Sequence, residues 1–139
     1  WSDGQALTAK DFEFAWKRAA STALAADYGY MFEVVKGYPD NLAVEALDEK
    51  TIQITLKAVA PHFIQVLTMW TFSPLQAATV ETNGDQWTNK AETYVTNGAF
   101  MVSEINMGES VVLVKNPNYY NAANTKLEKS ACFICEYEW

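Results

Sequence analysis

The sequence is short of the residues that most catalytic and metal sites need. It has a single histidine, His62, and two cysteines, Cys132 and Cys135. A structural zinc site takes four Cys or His ligands, so these three do not complete one. The glycines are scattered at positions 4, 29, 37, 84, 98 and 108, and they make no Gly-rich loop of the kind that cradles a phosphate. No nucleophile elbow occurs. Carboxylates such as Asp11, Glu13, Glu33, Asp40, Glu45 and Asp48 are dispersed, and no pair sits in an apolar segment where a raised pKa would be expected. The catalytic inventory is poor, and the expectation is a protein that is not an enzyme and holds no cofactor or metal.

Positive charge is also scarce. Ten Lys+Arg stand against 17 Asp+Glu, a formal charge of −7, and the only adjacent cations are Lys17 and Arg18. Phosphate binding needs a surplus of clustered cations, so nucleic acid is not an expected partner. Long hydrophobic runs are missing too, since no window approaches the roughly 20 apolar residues of a membrane helix.

What remains is a chain of 139 residues, 50% hydrophobic and 14% aromatic. Intrinsic disorder needs the opposite composition, and this length is that of one domain or one and a fraction. The chain opens on Trp1-Ser2-Asp3-Gly4 and closes on the apolar, strand-like run Cys132 to Trp139. Natural termini are usually polar and loosely ordered, so the expectation is a piece of something larger.

Thr8-Ala9-Lys10-Asp11 resembles a capping box with Asp in place of Glu or Gln. The helix it opens places Phe12, Ala15, Trp16, Ala19, Ala20 and Ala23 on one face. So many alanines imply close approach of another element. A second helix is expected over about Asp27 to Lys36, ended by Gly37. Leu42, Val44 and Ala46, then Ile52, Ile54 and Leu56, alternate with polar residues around the turn Asp48-Glu49-Lys50 and predict a hairpin with one wet face. Pro61 fits the first turn of a short helix to about Trp70, and another runs near Ala77 to Thr82, stopped by Asn83-Gly84. The texture changes at Asn97-Gly98. Ala99 to Ile105 and Ser110 to Lys115 read as a second hairpin across Met107-Gly108-Glu109, with Val111 to Val114 apolar on both faces and so covered on both sides. Residues 131–138 read as a final strand. The order α–α–β–β–α–α–β–β–β is a mixed α/β (α+β) arrangement with a change of sheet near residue 97.

Three features could carry chemistry. Cys132-x-x-Cys135 has the spacing of a redox pair, but its β-branched and aromatic flanks give no helix signal, and a catalytic pair sits at a helix N-terminus. Strand packing is the simpler account of both cysteines, with a thiol-disulfide enzyme the alternative. His62 follows a proline at a helix start and reads as a surface or hydrogen-bonded histidine rather than a catalytic one. Most of Phe12, Trp16, Phe32, Phe63, Trp70 and Phe100 fall in the core by periodicity; Tyr28 and Tyr30 flank Gly29 with phenols able to hydrogen-bond, and core packing is the simpler reading of these two as well.

Several stretches, in order, carry a resemblance. Trp1-Ser2-Asp3-Gly4, Leu7-Thr8-Ala9-x-Asp11-Phe12 and Trp16-x-Arg18 resemble the "WSDG…LTA.DF…W.R" segment of bacterial extracellular solute-binding proteins of the oligopeptide-binding type. Val44-x-Ala46-Leu47-Asp48-x-x-Thr51-Ile52-x-Ile54-x-Leu56 is similar to their hairpin. Ala60-Pro61-x-Phe63, then Ser73-Pro74 with Gly84-x-x-Trp87-Thr88, Val95-Thr96-Asn97-Gly98-Ala99-Phe100 and Asn116-Pro117-x-Tyr119-Tyr120 complete the series.

The resemblance implies a fragment of a periplasmic-binding-protein-like fold, a mixed small sheet with flanking helices plus strands of the first lobe. Residues 1–96 would be the latter part of a small inserted α/β domain and residues 97–139 strands returning to the first lobe. It implies a receptor of two lobes that closes over an oligopeptide and hands it to an ABC importer permease, outside the cytoplasm and lipid-anchored. Counted from Trp16, Tyr28 falls on a tyrosine that lines the peptide cavity, which makes it the candidate ligand-binding residue. Alone, the fragment would bind peptide weakly or not at all and would self-associate through apolar surface near residues 98–139. Two features depart from the family pattern: a shorter stretch between Tyr30 and the hairpin, and the two cysteines. A stand-alone protein-interaction module is the other alternative to a receptor.

Overall fold

The capping signal at Thr8 sets the start of α1 (Ala9–Ala20). The Thr8 backbone N–H donates to Asp11 Oδ2 at 2.8 Å, so a donor that a helix start leaves without a partner is satisfied. Ala15, Trp16 and Ala20 are buried, with Phe12 and Ala19 packed beside them, as the periodicity predicts. The helix stops earlier than expected and leaves Ala23 exposed. Ser21 is the cause: its hydroxyl donates to the Arg18 carbonyl at 2.9 Å and its backbone turns extended.

The structure is a computed structural model that describes residues 1–133. Packing divides the chain into two units, Thr8–Ala77 and Trp1–Leu7 joined by the chain from Ala78 onward. The division by packing therefore falls earlier than the change of texture at Asn97.

In the unit Thr8–Ala77, the α-helix expected over 27–36 is instead a tighter 3-10 turn, Gly29–Phe32, continued by turns. Its bonds run three residues back: Gly29 N–H to Ala26, Met31 to Tyr28, Glu33 to Tyr30 and Val35 to Phe32. With three residues per turn, Gly29, Phe32 and Val35 all face inward, and all three are buried. A glycine and adjacent β-branched residues favour α-helix too weakly to resist this packing. At Gly29 the backbone lies so close that a Cβ would stand 2.8 Å from the Ala19 carbonyl oxygen. This is the close approach that the alanines of α1 imply.

Gly37, at φ +79°, turns the chain where a Cβ would strike the Asn41 carbonyl. The hairpin follows as β1 (Val44–Ala46) and β2 (Ile52–Ile54), antiparallel with Val44 opposite Ile54 and Ala46 opposite Ile52. Lys50 N–H donates to Asp48 Oδ1 at 2.8 Å and fixes the turn. Val44 is buried while Glu45, Gln53 and Thr55 face water, so the one wet face is present. Glu13 reaches from α1 to accept the Ala46 N–H at 2.9 Å.

The helix expected from Pro61 to Trp70 is α2 (Phe63–Val66), after which Met69 is extended and a new 3-10 turn spans Trp70–Phe72. That break reassigns the aromatics. Phe63 and Phe72 are buried, and Trp70, expected in the core, is 63% exposed. Trp16 Nε1–H donates to the Phe72 carbonyl at 2.8 Å in the interior. Phe32 and Phe72 touch with centroids 4.4 Å apart and planes tilted by 45°, and Trp16 meets Phe72 edge-on at 5.5 Å. Burying each such ring is worth ~1.5–3 kcal/mol, with up to about 1.5 more from aromatic geometry.

In the other unit, α3 (Ala77–Asn83) runs in from the division and Gly84 follows at φ +57°. The strands β3 (Phe100–Asn106), β4 (Ser110–Lys115) and β5 (Lys129–Phe133) form an antiparallel sheet in the order β3-β4-β5, with a bulge between Val102 and Glu104. The expected cover on both faces is not found. Val112 is buried, but Val111, Leu113 and Val114 are only half-buried, and β5 sets the exposed Cys132 and Lys129 opposite Val111 and Val114.

This unit also has a polar centre. Ser2 N–H donates to the Thr96 carbonyl at 2.7 Å, and Thr96 N–H returns a bond to Ser2 Oγ at 3.1 Å. Asn116, 1% exposed, donates through Nδ2 to the Gly98 carbonyl at 2.9 Å and accepts the Asn118 N–H at 3.0 Å. Asn118 Nδ2 donates to the Ser2 carbonyl at 3.1 Å. Three of the motif stretches, Trp1 to Gly4, Val95 to Phe100 and Asn116 to Tyr120, thus meet here to satisfy one another's backbone, a structural role rather than a chemical one.

Candidate functional site

Tyr28, the residue that the resemblance singles out, stands at the start of the Gly29–Phe32 turn and is 40% exposed. Tyr30 is 59% exposed. Their rings lie 6.2 Å apart, and Trp70 meets Tyr28 edge-on, with centroids at 5.2 Å and planes at 82°. The result is an open surface of three aromatic rings drawn from two 3-10 turns. Alternation within those turns produces it: Phe32 and Phe72 point into the core and touch, so the outward residues of the same turns, Tyr28 and Trp70, meet on the surface above them.

Beside this surface lies an open cleft of about 460 Å³, lined by Tyr30, Glu33, Val34, Lys57 and His62 among others. Lys57 Nζ sits 5.8 Å from the centre of the Tyr38 ring. The cleft has one carboxylate, one ammonium and one imidazole around an apolar floor, a suitable lining for a solute with apolar and charged parts. His62 is exposed at the start of α2.

From the residues alone, core packing is the simpler reading of Tyr28, Tyr30 and Trp70, and the structure leaves all three exposed. Helical spacing from Phe63 misleads, because α2 ends after one turn. The only local signal was Phe72, a second large aromatic two residues on that competes for the same interior space. Cys132 lies in β5 opposite Val111 and is exposed, and Cys135 lies outside the described residues. Among those residues no group of three or more His, Cys, Asp or Glu could hold a metal ion, and no helix is long and apolar enough to cross a membrane.

Three described groups have shifted ionisation. The Lys17 hydrogen bond, aided by the Ala46 N–H and opposed by burial, holds the Glu13 carboxyl below its ordinary value. Backbone N–H donation from Lys50 does the same for Asp48. The hydrogen bond to Tyr120 pushes the Tyr119 phenol up. None of these groups belongs to the aromatic surface.

Comparison with known proteins shows the class to which this mixed fold belongs. Residues 1–131 match the family described as bacterial extracellular solute-binding proteins, family 5 middle, and the chain belongs to that family. It is 32% identical over 138 residues to the oligopeptide-binding protein OppA of Bacillus subtilis, covering 93% of this chain and 25% of that protein. It is 35% identical over 140 residues to the probable deoxycholate-binding periplasmic protein YgiS of Escherichia coli, covering 93% and 26%. Among solved structures, Haemophilus influenzae OppA in complex with RPPGFSPFR superposes with a TM-score of 0.87 at 32% identity, covering 94% of this chain and 28% of that one. The chain spans about a quarter of the length of the curated relatives it matches.

Proposed function

We propose that this chain is part of a receptor that captures oligopeptides outside the cytoplasm and delivers them to an ABC importer, without catalysis. The observation that carries the reading is the match of residues 1–131 to the family together with similarity to oligopeptide-binding proteins. In that receptor Tyr28 contacts the peptide, and its place on an exposed aromatic surface supports the role. Residues 1–96 belong to the small inserted domain and residues 97–139 to strands of the first lobe. A lipid anchor at the membrane surface fits the same reading. The alternative of a thiol-disulfide enzyme draws no support from Cys132, which sits in a strand rather than at a helix N-terminus.

Closure of two lobes over a ligand gives binding its energy, since a ligand shifts the open–closed equilibrium only by its preference for the closed state. This chain alone is therefore expected to bind peptide weakly or not at all, and to self-associate through exposed residues such as Met107, Leu127 and Phe133. Titration calorimetry of the full-length protein with tri- to pentapeptides tests the function. Micromolar or tighter binding, weakened by Tyr28→Ala, is expected. No binding by the full-length protein refutes the receptor reading, and micromolar binding by residues 1–139 alone refutes the division of the site between lobes.

A further inference from the structure

We infer that Asn97 is a modification site: its side-chain amide is lost spontaneously as ammonia, and the residue becomes aspartate or isoaspartate. The step is internal to the chain and depends neither on the receptor reading nor on a partner. The Gly98 backbone nitrogen attacks Asn97 Cγ and forms a C–N bond. The Cγ–Nδ2 bond breaks, and ammonia leaves with the proton given up by the Gly98 N–H. Water then opens the resulting succinimide at one of its two carbonyls, giving aspartate, or isoaspartate in which the main chain runs through Cβ. Nothing is oxidised or reduced.

The sequence holds two asparagines followed by glycine, Asn83-Gly84 and Asn97-Gly98. Glycine has no Cβ to keep its nitrogen away from the preceding side chain, so both pairs are able to react. The structure separates them. Asn83 ends α3, and its helical backbone, with ψ −4°, turns the Gly84 nitrogen away from the Asn83 side chain. Its Nδ2 also donates to the Thr79 carbonyl at 2.8 Å. Ring closure there must unwind the end of the helix and break that bond. Asn97, in contrast, lies outside every helix and strand and is exposed. Its side chain has no hydrogen-bond partner among the described residues. The Gly98 N–H donates to Thr96 Oγ1, but at 3.2 Å, the long end of the ordinary range.

The residues on both sides of Asn97 hold the polar centre of their unit. Thr96 exchanges two bonds with Ser2, and the Gly98 and Ala99 carbonyls accept from Asn116 Nδ2 and the Asn116 N–H. Isoaspartate inserts one more carbon into the main chain between Thr96 and Gly98. The two can then no longer keep the spacing at which Ser2 and Asn116 bond together. Modification at 97 therefore loosens this centre and leaves the unit Thr8–Ala77 as it was.

The test ages the full-length protein in mildly alkaline buffer and maps its peptides by mass spectrometry, with fragmentation that tells aspartate from isoaspartate. In the folded protein the products should build up at 97 about tenfold faster than at 83, the rate equivalent of about 1.4 kcal/mol of barrier. In urea the two sites should react alike. Gly98→Ala should slow the reaction at 97 by a similar factor. A Cβ at Gly98 would meet nothing nearer than 3.6 Å, so the fold should tolerate it. Hydrogen exchange in the modified fraction should rise at residues 96–100 and 116–119 and stay unchanged in α1. Reaction at 83 as fast as at 97 in the folded protein overturns the inference, and this comparison needs no variant. Reaction at 97 only in urea overturns it too, because the fold would then protect Asn97. A preference for 97 that persists in urea shows that structure does not select the site, and overturns the assignment as well.

Discussion

Adding one methyl group to Gly29 tests both the packing of the unit Thr8–Ala77 and the support of its aromatic surface. Gly29 is buried, and a Cβ there would stand 2.8 Å from the Ala19 carbonyl oxygen, where ordinary contact begins at 3.4 Å. The Gly29–Phe32 turn and α1 must therefore part by about 0.6 Å, the difference between those two distances. Backbone stands on both sides, so no flexible side chain can give way. Overpacking of this kind costs about 1–3 kcal/mol. The glycine is not in the left-handed region, so alanine adds no backbone strain there, and it restrains the unfolded chain, which offsets about 0.4–1 kcal/mol. The steric effect wins by roughly 1–2 kcal/mol. Urea unfolding followed by hydrogen exchange at the amides of α1 reads this unit directly. Gly29→Ala should lower the midpoint with an unchanged slope, and in the full-length protein it should weaken peptide binding by displacing Tyr28 and Tyr30. A midpoint equal to or above that of the unsubstituted chain would refute the argument, because it would mean that α1 and the turn are free to separate.

Two further outcomes test other parts of the fold. Asn116→Ala removes both the donor to the Gly98 carbonyl and the acceptor for the Asn118 N–H. It should cost about 1–3 kcal/mol, and hydrogen exchange should rise at residues 96–100 and 116–119 while exchange in α1 stays unchanged; a uniform rise across the chain would contradict this. The Glu13 carboxyl is held below its ordinary value, so its contribution to stability is complete above the ordinary glutamate range and is lost as pH falls through the lowered value. Glu13→Gln should therefore lower the melting temperature at neutral pH and leave it nearly unchanged well below pH 4. An equal loss at both pH values would show that the Lys17 and Ala46 contacts do not act through charge.

Elements whose signals lie within a few residues of one another were legible from sequence. Thr8 and Asp11 marked the start of α1, strict alternation around Asp48-Glu49-Lys50 gave the first hairpin, and Gly108 placed the turn of the second. The motif stretches also sufficed to place the chain in its family, because their order along the chain is itself sequence information. In the 27–36 segment and at Trp70, local spacing misleads for one physical reason. Apolar spacings of three and of three to four residues look alike over a single turn, and only packing against α1 selected the tighter winding that turned Phe32 and Phe72 in and left Tyr28 and Trp70 out.

What composition and pattern determined was the class of protein and the presence of helices, hairpins and turns, since each depends on interactions between near neighbours. Tertiary structure alone decided which distant residues meet: Trp16 with Phe72, Ser2 with Thr96, and Tyr28 with Trp70. Those meetings depend on the shape of the interior that all the elements fill together, a property that no short window of sequence contains.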